Sequence, residues 1–176
     1  VFPSALPADM CDRLMQFTRE TPAQVRRMDH EASGNAARFA IFDPEKPLAV
    51  RYDYPTDDLL ANPDVQALLC DPSLLALAQE YLRSRPRADV LSMWWHTSFH
   101  TQPDSEAAQF YHFDMDRIKW LKFFIYLTDV EADNGPHCFI AGSHRSGGIP
   151  RALLAKGYTR LSDEEVAAYY PPERFI

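Results

Sequence analysis

The 176-residue chain has no apolar run approaching the roughly 18–20 residues that a membrane-spanning helix requires, and no leader pattern is read at its start. Positive charge is in short supply: 18 Lys and Arg stand against 25 Asp and Glu, a formal net charge of -7. That balance excludes a generic binder of the phosphate backbone, which needs a basic surface. It leaves room for an anionic small molecule held by a few local Arg or Lys. Cys11, Cys70 and Cys138 are widely spaced and form no CxxC pair, so neither a disulfide framework nor a cysteine zinc site is expected. The reading that follows is a cytoplasmic protein with free or buried thiols. There is no Gly-rich phosphate cradle, no GxSxG elbow and no Cys–His pair at a supporting distance. Internal repeats and low-complexity tracts are also lacking. The expected partner is a small-molecule substrate, with no nucleic acid and no membrane; oligomeric state is not readable.

What is present is the composition of an ordinary globular domain, 46% hydrophobic and 24% charged. Pro7, Met10, Leu14 and Phe17 predict an amphipathic helix over Leu6 to Glu20, with Pro7 in its first turn. Residues 29–58 read as loops and short strands. Asn62-Pro63 and Asp71-Pro72 each pair an N-cap with a first-turn proline, predicting helices over Pro63 to Leu69 and Pro72 to Leu82. The second is expected to bury Leu74, Leu75, Ala78, Tyr81 and Leu82. From Val90 the texture becomes β-like: strands are expected over Val90–Phe99, Phe110–Asp114, Lys119–Val130 and His137–Ala141. Lys119–Val130 has apolar residues on both faces, the pattern of a strand covered on both sides. Asp133-Asn-Gly-Pro136 reads as a turn, and Ser162-Asp-Glu-Glu165 as a capping box before a helix to Tyr170. Helices first and strands after predict one α+β domain, mainly β, with a sandwich or barrel core and helices outside. Residues 1–87 form its helical and loop part and 88–176 the first part of its core. The opening Val1 and the close at Arg174-Phe175-Ile176 lead us to expect further chain at the C-terminus.

The sharpest chemical feature is His112-Phe113-Asp114. On a strand, residues i and i+2 point the same way, so an imidazole and a carboxylate share one side. Two such side chains can meet on one metal ion, and a further His completes the facial triad that leaves positions open on Fe(II). Taken alone, the tripeptide has a plainer reading, an ion pair carried by a strand.

Its surroundings add to it. Phe110-Tyr-His-Phe-Asp-Met115, then Phe123-Phe-Ile-Tyr-Leu-Thr-Asp-Val-Glu-Ala-Asp-Asn-Gly-Pro136, then Ile140-Ala-Gly-Ser-His-Arg145 follow in order. With Trp95-His-Thr97 and Gln102-Pro-Asp-Ser105 ahead of them, this series resembles the phytanoyl-CoA dioxygenase family of Fe(II)- and 2-oxoglutarate-dependent oxygenases, most clearly over residues 90–145. The resemblance implies a double-stranded β-helix (jelly roll), with Fe(II), 2-oxoglutarate and O2 as cofactor and cosubstrates. It makes His112 and Asp114 the metal ligands and catalytic residues. It also places Ser98, Phe113, Leu127 and Arg51 at positions that meet the cosubstrate. Phe113 departs from the Gln often found between the ligands, and Ala141 from the usual Pro. Neither change removes a ligand. A carboxylate kept at Asp114 favours hydroxylation over halogenation.

The activity implied is hydroxylation of an unactivated C–H bond of a small metabolite, with release of succinate and CO2. Desaturation, epimerisation or ring formation is the alternative outcome, and a non-catalytic jelly-roll binding protein the alternative class. The family's third ligand and its 2-oxoglutarate-binding Arg are expected beyond Ile176, because His137 and His144 lie in a turn and loop that the family does not use for them. His144 reads as structural or pocket-lining, and His96 and His100 as hydrogen-bonded residues sharing a face. Trp94, Trp95 and Trp120 read as core, and the acidic clusters at Asp57-Asp58 and Asp163–Glu165 as solvated faces or helix starts.

Overall fold

The computed structural model describes residues 5–26, 38–97, 109–114, 119–131, 135–157 and 159–176. The chain divides into two compact units: residues 1–99 with 119–129, and residues 100–118 with 130–176.

The first unit starts with helix α1 (Ala8–Glu20), which buries Leu14 and Thr18. Pro7 is the residue before the helix, with extended backbone angles, and not a first-turn proline. Strands β1 (Ala23–Arg26), β2 (Phe39–Ala40), β3 (Arg51–Asp53) and β4 (Trp94–His96) form an antiparallel sheet in the order β2-β1-β3-β4. Val25 lies opposite Tyr52, and Tyr52 opposite Trp95. That face packs with Leu14, Tyr54, Leu59 and Val65 into the unit's core. Tyr52 is fully buried, and its hydroxyl accepts from the Leu48 N–H.

Helices α2 (Thr56–Ala61), α3 (Pro63–Leu69) and α4 (Pro72–Leu82) follow. Asn62 and Asp71 cap α3 and α4 as expected, each accepting from two backbone N–H groups. Helix α4 ends on Arg83 at φ 58°. This left-handed residue turns the chain three positions before Pro86. Only Ala78 of the expected α4 face is buried; Leu75 and Tyr81 are exposed.

All four expected strands need correction, and of Phe110–Asp114 only Tyr111 pairs, in an isolated bridge to Leu161. The Val90–Phe99 strand is reduced to the three residues of β4 among those described. Lys119–Val130 adopts no strand among its described residues, and Leu121, Phe123, Phe124, Ile125 and Tyr126 are all exposed. An apolar pattern marks side chains that gain from burial, but a strand forms only where a neighbour takes up its backbone groups. Here no described segment pairs with it.

The second unit is built around Ile140, Leu153, Leu161, Val166 and Tyr170. Helix α5 (Arg151–Leu154) supplies Leu153, and α6 (Asp163–Ala167) supplies Val166. The predicted capping box is formed: Ser162 Oγ accepts from the Glu165 N–H, and the Glu165 carboxylate accepts from the Ser162 N–H. The helix is shorter than expected, ending before Tyr170. Residues 139–141 run against 174–176 through the Ile140–Phe175 bridge, so the expected His137–Ala141 strand is a short two-stranded contact. Arg174 donates to the Ala141 carbonyl and lies 4.9 Å over the Tyr170 ring, closing the Gly-Ser-His loop. Asp133 and Asn134 of the expected Asp133–Pro136 turn lie outside the described residues.

The architecture is therefore α+β with a small antiparallel sheet. Among the described residues the strands close no barrel, so the jelly-roll core is not seen in them. No described helix is long and apolar enough to cross a membrane.

Candidate metal centre

Alternation along residues 111–114 sets the site. Tyr111 exchanges both backbone hydrogen bonds with Leu161, at 3.1 and 2.8 Å. Its ring meets Phe175 edge-on with centroids 6.1 Å apart. Phe113, two residues on, packs against the same core. Burial pushes the Tyr111 phenol above its ordinary pKa, with the nearby Cys138 and Asp163 adding to the effect. The odd-numbered residues are thus engaged in packing, and the even-numbered ones, His112 and Asp114, come together. His112 Nε2 lies 3.3 Å from Asp114 Oδ1, with the side chains 22% and 23% exposed.

The imidazole's other nitrogen fixes how the ring is turned. Nδ1 lies 2.8 Å from the Phe110 carbonyl oxygen. A carbonyl only accepts, so Nδ1 carries a proton, and Nε2 is the nitrogen turned to the carboxylate. An imidazole nitrogen and a carboxylate oxygen 3.3 Å apart are suited to sharing a positive charge, a proton or a metal ion. Metal bonds of about 2.1 Å meeting near a right angle place their donor atoms about 3 Å apart. The pair fits two neighbouring positions on one ion. Among the described residues no third His, Cys, Asp or Glu joins them to make a metal-holding group. His144 is exposed on its turn, and His137 is exposed as well.

The other expected site residues fall as follows. Phe113 packs on the second unit's core, and Leu127 packs against the core of the first. Ser98 and His100 lie outside the described residues. Arg51 is engaged within its own unit: Nε and Nη2 both reach Asp53 Oδ1, at 2.8 and 2.7 Å, and Cζ lies 4.5 Å from the centre of the Trp94 ring. Trp94 is therefore not a core residue like Trp95; it stands on the opposite sheet face and stacks with an arginine. Sequence reading missed Asp53 as the partner of Arg51, although Arg51-Tyr-Asp53 repeats the i, i+2 logic applied to His112-Phe-Asp114. The Phe110 carbonyl and the Leu161 clamp were also missed. Both act through backbone atoms, which carry no residue signature.

The chain belongs to the phytanoyl-CoA dioxygenase family, whose model matches residues 1–168. That family lies within the Fe(II)- and 2-oxoglutarate-dependent oxygenases, whose members typically use Fe(II), 2-oxoglutarate and O2. Membership supports an enzyme of that superfamily. Neither a curated protein nor a solved structure matches the chain.

Proposed function

We propose that the protein is a hydroxylase of a small organic metabolite, with His112 and Asp114 holding Fe(II) and the strands forming part of a jelly-roll core. The single observation that carries this reading is the 3.3 Å approach of His112 Nε2 to Asp114 Oδ1, with Nδ1–H donating to the Phe110 carbonyl. Each residue has a defined task. The Phe110 carbonyl fixes the tautomer and ring orientation, as outer partners of metal-binding histidines do. Asp114 supplies a negative charge that offsets part of the metal's. Tyr111 and Phe113 hold the segment to its core so that the two donors keep their spacing. Bound Fe(II) supplies O2 activation coupled to oxidative decarboxylation of 2-oxoglutarate. Retention of a carboxylate at Asp114 supports hydroxylation over halogenation.

The test is anaerobic titration of the protein with Fe(II), followed by succinate release against a panel of metabolites. Asp114→Ala removes a ligand and its charge together, so we expect metal affinity to fall more than 100-fold, beyond the roughly 10–100-fold loss typical of outer-shell changes, and coupled turnover to disappear. Normal succinate and product formation by that variant would overturn the assignment. A non-catalytic binding protein is the second reading, favoured by the lack of a third donor among the described residues. Failure of the wild-type protein to bind Fe(II) would decide for it.

A further inference from the structure

The sheet of the first unit has one face in the core and one face that is not. Register places Gln24, Phe39, Asp53 and Trp94 together on the second face, with Arg51 and His96 two residues along their strands. A cavity of about 290 Å3 opens there, lined entirely by residues of this unit. Arg51 and Asp53 form its charged part, Gln24, Thr56 and Ser92 are polar members, and Phe39, Leu91 and Met93 are apolar.

The arginine is set up to receive something. Its side chain is only 16% exposed, and that of Asp53 19%. Both bonds to Asp53 converge on one oxygen, Oδ1, along the Nε–Nη2 edge. The terminal Nη1–Nη2 fork is a second edge that can pair with a carboxylate through two parallel bonds, and among the described residues Nη1 has no partner. Stacking on Trp94 holds the guanidinium plane in place before any ligand arrives. A half-buried, oriented donor fork beside an apolar wall matches a carboxylate joined to an apolar body.

We propose that this cleft is a binding site for a small organic acid with an apolar body, its carboxylate on the outer fork of Arg51. The proposal goes beyond the metal reading and does not depend on it. Asp53 orients the guanidinium at the cost of part of its charge, which keeps the affinity moderate.

The experiment uses metal-free protein, so its outcome is separate from that of the iron titration. Calorimetry and the indole resonance of Trp94 would follow titration with 3-phenylpropionate, 3-phenylpropionamide and 3-phenylpropylamine. The acid is expected to bind and shift the Trp94 signal, the amide to bind at least tenfold more weakly, and the amine not at all. Arg51→Met should weaken the acid about 10- to 100-fold, the range for a hydrogen bond to a charged group. Asp53→Asn should tighten it, because the competing carboxylate is removed. 2-Oxoglutarate, with two carboxylates and no apolar body, should bind more weakly than 3-phenylpropionate. Equal binding of acid and amide, preference for the amine, or tighter 2-oxoglutarate binding would each overturn the proposal. Should Arg51→Met not fold, the ligand series and Asp53→Asn decide the matter.

Discussion

Tyr54→Phe isolates one hydroxyl whose loss has a calculable cost. Helix α1 ends at Glu20, and the Thr21 N–H donates to the Phe17 carbonyl. The next carbonyl in the ladder, that of Thr18, would take its bond from residue 22, but Pro22 has no N–H. Thr18 is 2% exposed, so water does not substitute, and the Tyr54 hydroxyl makes the bond instead. Phenylalanine keeps the ring and its contact with Phe17 at 5.8 Å, so no cavity opens. What remains is a buried carbonyl without a donor, costing about 1–3 kcal/mol. For a chain of this size that is a fall in Tm of roughly 2–12 °C. Urea unfolding should show a lower midpoint at unchanged m-value. A loss below about 0.5 kcal/mol, the scatter of a surface change, would refute the account of how the helix end is satisfied. Because Tyr54 follows β3 directly, the same variant tests what holds the strand bearing Arg51 and Asp53 against α1.

Other consequences are simpler to state. Asn62→Ala should cost about 1 kcal/mol, since its side chain accepts from the Asp64 and Val65 N–H groups; amide exchange in α3 would report the loss. Burial raises the Tyr54, Tyr111 and Tyr170 phenols above their ordinary pKa of 10.0. The unfolded chain therefore loses these protons first, so their stabilising effect is complete below pH 10 and declines as pH rises through the folded values. Unfolding midpoints measured across that range should drop, and less steeply in Tyr54→Phe; a flat profile would contradict it. Leu153→Ala should destabilise the second unit by about 2–5 kcal/mol, because Leu153 is 1% exposed in its core.

Features written into neighbouring residues were legible in the sequence. The caps at Asn62, Asp71 and Ser162 appear as read, because each is a contract between a side chain and N–H groups two or three positions away. The approach of His112 to Asp114 follows from the same locality, since extended backbone turns residues i and i+2 to one side. Tertiary structure decided the rest. Whether Lys119–Val130 becomes a strand depends on a partner distant in sequence, and whether Trp94 lies on the core face of the sheet or the opposite one depends on register. Arg51 shows the limit most clearly: its chemistry depends on Asp53 beside it and Trp94 more than 40 residues away, brought over it only by the pairing of β3 with β4. Local rules name the groups that can act; the long-range pairing of backbone determines which of them meet.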